Sequence, residues 1–237
     1  MEHLIYILLF LSVLLSGLAV FLFKTKNENS IKLLLAFSGA YLFAICVLHL
    51  IPDTYSQGNA SIGIYILIGF FLQILLEFFS GGIEHGHIHI HKESKLIFPS
   101  TLLVSLCIHA FVEGMPLGNI SSHQGVNQPL LMGIILHKIP IAFVLMSMLL
   151  QLNIKKQTAF MFLIIFALMS PLGVFTSEMI GDMEQYFDEI MAIVIGIFLH
   201  ISTTILFESS KDHRFNLYKF ITIIVGAGLA VLSGVFF

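Results

Sequence analysis

His109 and Glu113 stand four residues apart in the run CIHAFVEGMPLG. On a helix that spacing puts both side chains on one face, one turn from each other. An imidazole nitrogen and a carboxylate oxygen so placed can grip one metal ion. The zinc-protease signature HExxH is a different device, because it supplies two histidines and a general-base glutamate. The plainer alternative is a hydrogen-bonded pair tying two helices together. Further on, GIILHKIPIAFVL places His137 beside Lys138 and just before Pro140. Proline cannot donate to the Leu136 carbonyl and its ring crowds that group, so a helix bends here, next to His137. His137 is a third ligand candidate, with a packing hydrogen bond at a structural kink as the alternative.

Other histidines flank this set. His49 in CVLHLIPD suits an access path or a plain interfacial position. His200 in GIFLHISTTILFE, with Thr203 and Thr204 one turn on, reads as a completing ligand or as a helix-to-helix hydrogen bond. His85, His87, His89 and His91 alternate through a polar stretch that begins at Glu84. Neutral imidazole suits zinc, copper, iron and nickel, and a loose tract of this kind can capture or sense ions without fixed geometry. A solvated polar loop is its bland reading. Lys138 adjoins His137 and repels a cation, but adjacent helix positions point about 100° apart. It therefore reads as a fixed positive charge in a neighbouring subsite or as the ion-pair partner of Glu113, and either role leaves room for one metal at a time.

The elements that must position these groups follow from composition. Of 237 residues, 57% are hydrophobic and 11% are charged, against about 25% charged in soluble domains. Mean hydropathy is +0.98. Such a chain cannot build a water-facing surface, so lipid is its partner. Net charge is -3, with no basic stripe, which argues against nucleic acid. Cys46 and Cys107 both lie in apolar runs and read as small buried hydrophobes.

Eight segments reach the roughly 20 apolar residues that a spanning helix needs: 4–23, 33–52, 62–81, 96–116, 130–150, 158–178, 189–208 and 217–236. The first has Glu2 and His3 before it rather than a basic n-region, and reads as a retained helix, not a signal peptide. Runs such as Leu4–Leu15 do not alternate, which disfavours a β-barrel. The expected fold is an all-α polytopic membrane protein, one transmembrane domain over 1–237 with a histidine-rich loop at 82–95.

Charge supports the count. Lys24, Lys26, Lys32, Lys92, Lys95, Lys155, Lys156, Lys211, Arg214 and Lys219 fall on one side of an eight-span arrangement, which the positive-inside rule makes cytoplasmic, with both termini outside. The opposite loops carry Asp53, Glu178, Asp182, Glu184, Asp188 and Glu189. They form a cation-focusing mouth or simply solvated loops. Lys138 is the remaining basic residue and lies inside span five. At 1.5 Å per residue, His109 and His137 both fall on the order of 12–14 Å below the outer surface. Glu77 and Glu208 sit near the cytoplasmic ends of their spans, suited to an exit route or to interfacial exposure. An ionisable group at this depth costs at least about 2.5 kcal/mol, which makes it a functional hypothesis by default.

Together these residues resemble the ZIP (Zrt/Irt-like) metal transporter family. The resemblance is carried by HAFVEG at 109–114 and His137-Lys-Ile-Pro140, in successive spans, with support from His49-Leu-Ile-Pro52 and Ser170-Pro-Leu-Gly173. It implies movement of zinc, and often iron, manganese or cadmium, into the cytoplasm, with His109, Glu113 and His137 as transport-site residues. A second copy of the chain is a candidate partner. Members with two adjacent metal sites commonly carry an asparagine where this chain has Ala110, an acidic residue where it has Lys138 and a glutamate where it has Ile141. The chain is therefore similar to the single-site branch, and His49, His200 or water are candidates to complete the coordination.

The same residues admit two rival functions. One is a membrane-embedded zinc-dependent hydrolase with His109, His137 and His200 as ligands and Glu113 as base. The other is a metal-sensing membrane protein worked by its histidine loop.

Overall fold

Long apolar runs in lipid have no water to satisfy their peptide groups, so they close their hydrogen bonds internally as helices. The computed structural model describes residues 2–22, 28–56, 61–83, 97–118, 124–180, 185–207 and 217–236. Its helices are α1 (Glu2–Ala19), α2 (Glu28–Ile45), α3 (Ile51–Tyr55), α4 (Ile62–Ser80), α5 (Ile97–Gly114), α6 (Gln124–Gln151), α7 (Lys156–Met179), α8 (Phe187–Phe207) and α9 (Leu217–Phe236). A π turn, Cys46–Leu50, joins α2 to α3 without a break, and a tighter turn, Met115–Gly118, ends α5. No strand occurs among the described residues.

Among the described residues, six runs are long and apolar enough to cross a bilayer: Asn29–Tyr55, Ile62–Ser80, Pro99–Gly118, Gln128–Gln151, Lys156–Met179 and Phe187–Phe207. His3–Ala19 and Leu217–Ser233 are shorter apolar helices. The chain is thus an all-helical, multi-pass membrane protein, and a helix stands at each of the eight expected segments. Boundaries differ at several ends: α1 stops at Ala19 where 23 was expected, α2 starts at Glu28 where 33 was expected, and α6 differs most. The expected fifth span starts at 130, yet α6 begins at Gln124 and keeps Pro129 inside it. Pro129 is the sixth residue of α6, past the four starting amides that have no intrahelical partner, so the helix forgoes one hydrogen bond there, to the Gly125 carbonyl.

The helices sort into two groups. α1 packs chiefly on α6 and α7, and α5 on α7; α4 packs chiefly on α8, and α2 on α9 and α8. α2 against α6 and α4 against α5 join the groups. One apolar core lies chiefly around α1, α5, α6 and α7, and includes Leu106, Ala110, Ile141, Leu145 and Leu163, with Ile83 added from just beyond α4. The other surrounds α2 and α8, and receives Leu9, Leu117, Leu130, Ile134 and Val174 from one end of the first group.

Glycines set the closest contacts. A Cβ on Gly114 would fall on the Ser170 backbone, and one on Gly173 would meet the Phe111 carbonyl, so α5 and α7 touch backbone to backbone. Gly69 and Gly196 do the same for α4 and α8, against the carbonyls of Ile193 and Ile66. Small residues permit this approach where no hydrophobic force drives helices together in lipid. Away from that seam, α4 exposes Ile64, Leu67, Phe71, Ile74 and Phe78, a stripe of three- and four-residue steps suited to lipid.

Candidate metal centre

α5, α6 and α7 bring their polar side chains together between the two apolar cores. The i, i+4 spacing on α5 sets His109 Nε2 3.0 Å from Glu113 Oε2. From α6, the His137 ring stands edge-on to His109, with centroids 5.9 Å apart and planes at 77°. Lys138 Nζ lies 2.7 Å from the other carboxylate oxygen, Oε1. His109, Glu113, His137 and Lys138 are all within 1% of complete burial. Ile134 and Leu117 belong to the core on one side, Ile141 and Ala110 to the core on the other.

Two serines tie the surrounding backbone. Lys138 also donates to Ser170 Oγ on α7, and that hydroxyl donates to the Ala110 carbonyl on α5 at 2.6 Å. The ammonium lies 5.4 Å from the centre of the Phe166 ring. Ser16 on α1 donates to the Ile139 carbonyl at 2.5 Å, beside Pro140. Neither serine was among the expected site residues. The available signal was a small polar residue beside a proline in an apolar helix, as in Ser170-Pro171.

The remaining candidates go elsewhere. His49 lies in the π turn, with Nε2 3.4 Å from the Ala230 carbonyl on α9. His200 pairs with Glu77 across the α4–α8 seam, Nε2 to Oε2 2.5 Å, and meets the Phe70 ring edge-on at 5.0 Å. His85, His87, His89 and His91 lie outside the described residues, as do Asp182, Glu184 and Glu208. Of the acidic set, Glu178 accepts a hydrogen bond from Tyr6 at 2.5 Å.

Two imidazoles and a carboxylate form a donor set that zinc accepts. As arranged, they are not a closed cage. Among the described residues, no three His, Cys, Asp or Glu groups lie together so as to hold a metal ion. Lys138 grips one edge of the carboxylate, and the two rings are set apart.

The family model described as ZIP Zinc transporter matches residues 90–234. Protein zntD of Dictyostelium discoideum is 30% identical over 172 residues, 64% of this chain and 25% of its own length. Zinc transporter ZIP9 of Micropogonias undulatus is 29% identical over 163 residues, 63% of this chain and 52% of its own length. Zinc transporter ZIP1 of Bos taurus is 24% identical over 263 aligned residues, 90% of this chain and 80% of its own length. The chain thus spans a quarter of the first relative and about half of the second.

Proposed function

We propose, from the premise that this chain belongs to the ZIP zinc transporter family, that it carries divalent metal ions, zinc above all, across a membrane into the cytoplasm. Iron, manganese and cadmium are the competing cargoes. One ion passes at a time, held by His109, Glu113 and His137, with Lys138 as a fixed cation beside it. The protein sits in a plasma or cytoplasmic membrane with both termini outside. The loop at 82–95 receives ions on the inner side through His85, His87, His89 and His91.

The observation that carries this reading is the burial of two imidazoles, a carboxylate and an ammonium between two apolar cores. Groups so costly to desolvate are kept in a membrane interior where a passing charge compensates them. An arriving ion draws the two rings together and takes a share of Glu113 from Lys138. Moderate affinity results, which a carrier needs because a closed tetrahedral site binds without releasing. The grouping of α1, α5, α6 and α7 apart from α2, α4, α8 and α9 supports an exchange in which one group slides or rocks against the other. His200, paired with Glu77, and His49, set against α9, are assigned here to helix packing.

Radioactive zinc uptake into proteoliposomes tests the proposal. The unchanged protein should accumulate zinc, while H109A and E113A should fall to the level of empty vesicles. A correctly folded and oriented protein that moves none of zinc, iron or manganese defeats it.

A further inference from the structure

We infer that Ser170 is a positioning residue for ion binding: it holds the Lys138 ammonium towards α7 and so leaves part of the Glu113 carboxylate to the cation. This rests on the assignment of His109, Glu113 and His137 as ion ligands.

A hydroxyl has one proton to give and two lone pairs to receive. Serines inside helices usually spend that proton on their own chain, three or four residues back. Ser12, Ser38, Ser202 and Ser233 do so here, donating to Leu9, Leu35, Leu199 and Ala230. Ser170 instead crosses to Ala110 on α5. The crossing is short because Gly114 and Gly173 let α5 and α7 touch at this level. With its proton committed to a carbonyl, Ser170 can meet Lys138 only as an acceptor.

The ammonium is thus divided between Glu113 Oε1, Ser170 Oγ and the face of Phe166. It is 1% exposed, so water cannot replace a lost partner. Without the serine oxygen, Lys138 leans harder on Glu113 and competes more strongly with the ion. Ser170 therefore acts on ion affinity only through Lys138.

The test is zinc binding by titration calorimetry on the purified full chain, for the unchanged protein, S170A, K138M and the double variant. Loss of a hydrogen bond to a charged group predicts zinc binding about five- to tenfold weaker in S170A. K138M should bind more tightly than the unchanged protein, and S170A should change nothing further in that background. An equal loss of affinity in the K138M background, or no loss in S170A, overturns the inference. Should S170A fail to fold, S170C gives the same reading, because thiol sulfur is a weak acceptor of similar size. A protein that binds zinc with this coupling yet carries none defeats the transport reading alone. One that carries zinc while S170A binds it at full strength defeats only the role of Ser170.

Discussion

Lys138 Nζ lies 2.7 Å from Glu113 Oε1, with both side chains out of reach of solvent. Neighbouring residues on α6, His137 and Lys138, thus address two parts of one centre: the imidazole faces His109 and the ammonium takes the carboxylate. Glu113 has a positive partner that the chain itself supplies.

K138M should expose the dependence. Removing one member of a buried ion pair costs about 3–5 kcal/mol, because the other charge is left uncompensated. The metal-free variant should therefore melt well below the unchanged protein, with His109 offsetting part of the loss. Zinc should raise its melting temperature by more than it raises that of the unchanged protein, since the ion now supplies the missing charge. Equal melting in the metal-free state would show that the pair contributes nothing to holding the centre together.

The α5–α7 contact should be intolerant of single methyl groups. G173A places a Cβ against the Phe111 carbonyl, and G114A places one on the Ser170 backbone. Each should cost about 1–3 kcal/mol through overpacking and should weaken zinc binding by parting Ala110 from Ser170 and Glu113 from Lys138. Gly228 on α9 has open space where a Cβ would stand. G228A should be neutral or stabilising by up to about 1 kcal/mol, as expected of alanine in a helix interior. Melting curves of the three variants in one detergent decide the matter, and a G173A variant as stable as G228A would contradict the close approach.

The helices were legible in the sequence because lipid demands long apolar runs, and such runs are hard to miss. His109 and Glu113 were legible because an i, i+4 pair on one helix needs no knowledge of other helices. The pairing of Lys138 with Glu113 was one of two readings that sequence left open, because choosing between them requires knowing how α5 and α6 face each other. His200 and Glu77 are 123 residues apart, and nothing local signals that Gly69 and Gly196 bring their helices into register. The roles of Ser170 and Ser16 depend on carbonyls of neighbouring helices, information that spacing along one helix does not contain.

His200 and Glu77 should act as a seam and not as an ion site. H200A and E77A each remove a half-buried hydrogen bond between α4 and α8, worth about 1 kcal/mol. The double variant should lose no more stability than either alone, because both substitutions break the same contact. Zinc affinity should stay within a factor of about two of the unchanged protein, since sites without shared partners are close to independent. A much weaker affinity in H200A, measured by calorimetry, would return His200 to the coordination sphere.

Motion between the two helix groups can be tested where they meet. Tyr41 on α2 is fully buried, its hydroxyl 3.3 Å from the Pro129 carbonyl on α6 and 3.2 Å from Ser233 Oγ on α9. One turn along α6, Gly133 leaves a groove, and a Cβ there would stand 3.1 Å from Leu42 Cδ2 and 2.7 Å from Ile45 Cδ1. Those neighbours are the flexible ends of side chains, so a cysteine fits. In a protein whose Cys46 and Cys107 are replaced by alanine, L42C with G133C should close a disulfide on oxidation. If α6 carries the ion by sliding past α2, the oxidised protein should still bind zinc but stop accumulating it, and a reductant should restore uptake. Full uptake by the cross-linked protein would mean that the ion crosses between helices that stay in place, and the centre would then have to open by side-chain movement alone.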